Sequence, residues 1–152
     1  MLARALTAQE IHEARKVFGD RIDYSRPRIF ATRHRLATRR GQVLAPDGNV
    51  YWPSAAANLA DEADTPTLTT FIHEMAHVMQ YQQGVPVLRR GFGLHAARLL
   101  SCGHYNPYDY RFDPVRVFSS YNIEQQAEIA VGIYLDWYPN IIDYPAAVPR
   151  PA

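Results

Sequence analysis

The sequence predicts an α+β fold, on three observations. Apolar residues recur at helical spacing near the N-terminus, in the middle and near the C-terminus of the chain. Between the first two of these stretches lie extended segments with an Asp47-Gly48 turn inside them. The length of 152 residues, with 47% hydrophobic side chains, suits a single domain over residues 1–152 with an ordinary buried core. Sixteen basic and fifteen acidic residues leave a net charge of +1, so no global field selects nucleic acid or an anionic membrane. Such a partner would need a local patch.

Thr7 and Glu10 form a capping box, and Ile11, Ala14, Val17 and Phe18 follow at helical spacing until Gly19, which predicts a helix over 8–18. Residues 28–36 and 42–52 read as extended and, with Asp47-Gly48 as a two-residue turn, predict a small antiparallel sheet closed by Pro53. Residues 54–64 read as a surface connection. Thr65-Pro66 supplies a cap and a first-turn proline for a central helix running to Gly84. Residues 85–118 hold scattered aromatics among Gly, Pro and Asp and read mostly as a long loop, with a turn or two of helix near 94–100. Ser119 or Ser120 then caps a last helix through Ile123, Ala127, Ala130, Ile133, Tyr134 and Trp137, ended by Pro139.

The chemistry is concentrated in His73-Glu74-Met75-Ala76-His77, an H-E-x-x-H sequence. Spacing of four on a helix puts both imidazoles on one face, where they can hold one metal ion with Glu74 beside it as general base. Ile72, Met75, Ala76 and Met79 give the same helix an apolar face. A catalytic zinc takes three protein ligands and keeps one position open. The last helix offers Glu124 as the third ligand and Glu128, one turn on, as acceptor for a ligand imidazole N–H.

Together these two motifs resemble those of the gluzincin metallopeptidases, a zincin-like fold in which one helix carries H-E-x-x-H and a later helix carries the third ligand. Gluzincins commonly place Asn before that ligand and Asp four residues after it. Here Ile123 precedes and Glu128 follows, with Asn122 displaced by one, so Glu128 stays in competition with Glu124. A wider resemblance covers most of the chain. The stretches from Leu6-Thr7 to Tyr24-Ser25, from Phe71 to Gln82 and from Tyr121 to Ile129 look like small bacterial zincin-like proteins labelled Rhs-element or Vgr-related. That resemblance implies proximity to contact-dependent or type VI secretion, with secretion-system components as candidate partners.

Larger gluzincins place transition-state donors in a domain beyond the third-ligand helix. Only residues 139–152 follow here, so the candidates are Tyr144, or His104, Tyr105, Tyr108, Tyr110 and Tyr121 from the preceding segment. Zincins bind an extended peptide along a sheet edge, a role open to residues 49–52. The acid-free run of Arg26, Arg28, Arg33, Arg35, Arg39 and Arg40 around His34 reads as a solvated sheet face. Cys102 with His104, and His12 and His95, have no partner pattern for a second metal.

The expected function is therefore zinc-dependent hydrolysis of peptide (amide) bonds: His73, His77 and Glu124 bind Zn2+ and Glu74 is the base, acting on a peptide or protein substrate. The alternative is a zinc-stabilised, non-catalytic accessory or binding module of a secretion apparatus; hydrolysis of a cell-wall amide is a further one. No nucleic-acid partner and no membrane insertion are expected, since the longest apolar run, 129–135, is far short of the roughly 18 residues of a spanning helix. A cytoplasmic location, or export without a Sec signal, goes with that.

Overall fold

The computed structural model describes residues 3–62 and 64–142. It comprises strand β1 (Ala3–Ala5), helix α1 (Ala8–Phe18), strands β2 (Arg28–Phe30) and β3 (Val50–Tyr51), then helices α2 (Thr65–Gln82), α3 (Val87–Leu100) and α4 (Ile123–Tyr134). The α+β class expected from the sequence holds.

Helix α1 begins as its sequence dictates. Thr7 Oγ1 accepts the Glu10 N–H at 3.1 Å, and Glu10 returns the bond to the Thr7 N–H at 2.8 Å. Glu10 is fully buried, and Arg4 grips its carboxylate with two bonds of 2.9 and 2.7 Å. The same carboxylate accepts the Leu59 N–H at 2.8 Å, while Arg4 also reaches the Ala56 carbonyl at 2.9 Å. One acid thus clamps β1, α1 and the connection that precedes α2.

The sheet is mixed and not antiparallel throughout. β1 pairs antiparallel with β2, and β2 pairs parallel with β3 in the order β1-β2-β3. A parallel pair needs a crossover of a dozen or more residues, which 31–49 supplies. The Asp47-Gly48 reversal does form, but the hairpin around it pairs only as the single bridge Leu44–Tyr51. Residues 31–36 leave the strand because local bonds win: Thr32 N–H closes onto the Phe30 carbonyl at 2.8 Å and Ala37 N–H onto that of His34 at 3.0 Å. The arginines from Arg33 to Arg40 therefore lie on an irregular loop and not on a strand face.

Three further boundaries differ from expectation. Asp64, not Thr65, caps α2, accepting the Thr67 N–H at 3.2 Å, because Pro66 falls at the start of the helix and Thr65 is already inside it. Asn122, not Ser119 or Ser120, caps α4 through a reciprocal box with Gln125, and the two serines form a preceding 3-10 turn. α4 ends at Tyr134, short of Trp137 and Pro139; Asp136, two residues on, adopts φ 59. The segment read as a long loop contains the 14-residue α3; Gly91 and Gly93 lower its propensity enough to hide it.

The core lies between these elements. Phe18, Ile29, Leu59, Phe71, Ile72, Met75, Met79 and Ile129 are all essentially inaccessible. Ile72, Met75, Ala76 and Met79 form the apolar face their spacing predicts. α4 packs along α2, and its small Ala127 and Ala130 are fully buried. Among the described residues no helix is long and apolar enough to cross a membrane.

Candidate metal centre

The H-E-x-x-H turn lies in the middle of α2, so neither imidazole depends on a frayed helix end. His73 and His77 stand one turn apart with ring centroids at 5.0 Å. From α4, Glu124 Oε2 lies 3.4 Å from His73 Nε2 and 3.6 Å from His77 Nε2. The three ligand atoms fall within 4.8 Å of one another, and among the described residues no other metal-binding group joins them.

These separations discriminate between two uses of the same residues. A charge-assisted N–H···O bond spans about 2.7–2.9 Å, shorter than either contact. Two ligands at about 2.0–2.1 Å from a tetrahedral ion sit about 3.3 Å apart, close to both. The donor set, two imidazole nitrogens and one carboxylate oxygen, is that of a zinc site with an open position.

Each imidazole is also held from behind. His73 Nδ1 meets Glu128 Oε1 at 3.0 Å. His77 Nδ1 meets Gln80 Oε1 at 2.8 Å, and Gln80 Nε2 donates to the Ile123 carbonyl at 3.0 Å and to Gln126 Oε1 at 2.9 Å. Gln126 in turn donates to the Tyr121 carbonyl at 2.9 Å. The sequence argument missed Gln80. Its only signal is a position three residues past a ligand histidine, which Gln82 and Gln83 obscure.

The charges are mutually supporting. Burial opposes a proton on His73, but Glu124, Glu128 and Glu74 outweigh it and hold its pKa at about 10. The same balance, burial against Glu124 and Glu74, raises His77. Burial disfavours the Glu124 anion, yet the two imidazoles pull its pKa well below the carboxylate range. Glu74 goes the other way: burial raises its pKa against the pull of both histidines. The Ala45 N–H bonds to its carboxyl, and Oε2 is buried without a partner among the described residues. A buried, unpartnered carboxyl oxygen is rare among the described polar groups, and this one belongs to the residue between the two candidate ligands in sequence.

The proposed donors are scattered. His104 is exposed and bonds the Ser101 carbonyl through Nδ1 at 2.9 Å; Tyr105 is exposed as well. Tyr121 is buried, with its hydroxyl accepting the Asp113 N–H at 3.0 Å and Arg116 stacked on its ring. Tyr110 packs edge-on against Tyr121 and bonds Tyr138. Tyr108 feels all three carboxylates of the site, whereas Tyr110 feels Glu128: burial, then the charges of Glu124, Glu128 and Glu74, raise the Tyr108 pKa against the opposing pull of Arg98. Tyr144 lies outside the described residues. Residues 49–52 do not offer the open sheet edge expected of them. Tyr51 exchanges both backbone bonds with Leu44, at 3.1 and 2.8 Å, and the Trp52 N–H goes to Phe30. The outer segment is 43–45, the one whose Ala45 touches Glu74.

Fold and site together define a small α+β domain built on a two-helix candidate metal centre. The solved effector domain of Pseudomonas aeruginosa VgrG2b is similar to it at a TM-score of 0.78 and 35% identity, covering 92% of this chain and 78% of that one. The chain belongs to the family of the VgrG2b effector domain. The type VI secretion system spike protein VgrG2b of P. aeruginosa is 38% identical over 135 residues, 88% of this chain, and that match spans 13% of the spike protein's length. No family model matches the chain.

Proposed function

We propose that the protein is a zinc-dependent hydrolase of amide bonds, most directly a peptidase, serving as a type VI secretion effector. The observation that carries the reading is Glu124 Oε2 placed at 3.4 and 3.6 Å from the two imidazole nitrogens, with the Glu74 carboxyl buried next to them. His73, His77 and Glu124 would hold the ion, which when bound polarises a carbonyl and acidifies water. Glu128 and Gln80 keep both imidazoles turned toward it. Glu74 takes the proton of the attacking water and returns it to the leaving amine, an exchange that a carboxyl whose pKa burial raises is suited to. Tyr108 is best placed to donate to the developing oxyanion, and a peptide strand would lie along 43–45. The secretion setting is carried over from the names of the spike protein and its effector domain.

Those names by themselves favour a module of the same apparatus over the hydrolase, since neither mentions hydrolysis. The two separate on Glu74→Gln, which preserves shape. For the hydrolase, elemental analysis gives about one zinc per chain in wild type and in Glu74→Gln, and His73→Ala, His77→Ala and Glu124→Ala each empty the site. Turnover of a peptide library then falls by about 10² or more in Glu74→Gln. A zinc-loaded wild type with no turnover on peptides or cell-wall amides would assign the module.

A further inference from the structure

Helix α3 is amphipathic with its apolar side outward. Of its fourteen residues only Val87 is buried. At 100° per residue Leu88, Phe92 and Leu99 fall within about 40° of one another. They are 40%, 57% and 79% exposed, and neighbouring Leu100 is 86% exposed. A helix normally buries such a stripe. Arg89 and Arg98 flank it on either side, Arg90 lies on the opposite face, and no acidic residue occurs from Met75 to Tyr108. A chain of net charge +1 therefore carries one local patch that is both apolar and cationic.

We propose that α3 docks the domain on an anionic lipid surface, lying in the headgroup plane with Leu88, Phe92 and Leu99 facing the acyl chains and the arginines meeting phosphates. Two features select lipid. The apolar stripe needs a partner it can enter, and the arginines need negative charge, which an anionic bilayer supplies together. A second copy of α3 would bring arginine against arginine with no acid on the helix to pair them. At about 1.5 Å per residue, fourteen residues are too short to span a bilayer, so the helix rests on the interface. α3 packs on α2 and α4, the helices that carry the candidate metal centre, and Arg98 lies within electrostatic range of Tyr108. Docking would set that centre beside the membrane surface. The proposal does not depend on the hydrolase reading.

Cys102, the sole thiol, is exposed two residues beyond α3 and serves as the reporter. The full chain labelled there with an environment-sensitive fluorophore should shift to the blue on phosphatidylglycerol–phosphatidylethanolamine vesicles and not on phosphatidylcholine vesicles. Co-sedimentation should show the same preference and weaken as salt is raised. Leu88→Ser/Phe92→Ser/Leu99→Ser and, separately, Arg89→Glu/Arg98→Glu should each lower partitioning by about tenfold or more, with unchanged far-UV spectra because all five side chains are exposed. Equal binding to both lipids, or full binding by the serine variant, would overturn the proposal. So would a dimer in analytical ultracentrifugation that the serine variant dissolves while the wild type ignores vesicles.

Discussion

Gln80 fixes the tautomer of His77. Its Nε2 faces two acceptors, the Ile123 carbonyl and Gln126 Oε1, so its Oε1 must be the atom 2.8 Å from His77 Nδ1. Nδ1 then carries a hydrogen, which leaves Nε2 as the ring nitrogen facing Glu124 and the candidate metal position. A side chain outside the candidate ligand set thereby orients a candidate ligand and ties α2 to the start of α4.

Gln80→Leu should lower zinc affinity by about 10- to 100-fold. The residue is buried, so no solvent can take over its acceptor. Competition with graded chelators measures the loss; wild-type affinity would mean that His77 is oriented by the helix alone.

Glu128→Gln should be milder. The Glu128 side chain is 41% exposed, so water can partly replace its 3.0 Å contact with His73 Nδ1. A loss of about tenfold in zinc affinity, at the lower end for such partners, is expected from the same titration. A larger loss than that of Gln80→Leu would reverse the ranking and point to Glu128 as a ligand.

Glu10 should give an acid limb to stability. Burial raises its pKa, but Arg4 and the N–H groups of Leu59 and Thr7 lower it further, to below the ordinary 4.5. The folded state thus favours the anion: the contribution is full above pH 4.5 and is lost as pH falls through the lower folded value. Glu10→Gln should remove this part of the melting-temperature decline below pH 4.5. Arg4→Met, which strands the buried anion, should cost about 3 kcal/mol at pH 7 by urea unfolding.

Gly132→Ala sets two effects against each other. Ala gains about 1 kcal/mol of helix propensity in α4. Its Cβ, however, would enter the ring of Tyr138, which is stacked on Phe112 at 4.0 Å and has little room to withdraw. Overpacking of about 1–3 kcal/mol should win, lowering the melting temperature by a few degrees. A stabilised variant would show that the Tyr138 ring swings aside freely.

What the sequence discloses follows the range of each interaction. His73, His77, Glu124 and Glu128 are legible because spacing of four has one meaning on a helix, and the structure brings all four together. Thr7 and Glu10 are legible for the same local reason. Gln80 is not, because burial alone distinguishes it from Gln82 and Gln83, and burial depends on where α4 lands. The parallel β2–β3 pairing and the strand Ala3–Ala5 are hidden too: an Ala-Arg-Ala segment has no strand signature until Ile29 lies beside Arg4. Only the turns near 94–100 of α3 are legible, because Gly91 and Gly93 lower the helix propensity of the part before them.

The segment 43–48 meets α2 at two points, through the Ala45 N–H at Glu74 and through Gly48, which at φ 85 lies against the Tyr81 ring so closely that a Cβ would collide with it. Seven residues of helix separate these contacts, about 10 Å of rise. A beam mounted at two such points is fixed in tilt as well as in height. A peptide pairing with it, as the hydrolase reading proposes, could slide from one register to the next but could not rock toward or away from Glu74. Selection among bonds would then rest on which side chains fit alongside the beam, and the distance from the Glu74 carboxyl to the peptide backbone would be the same for every register.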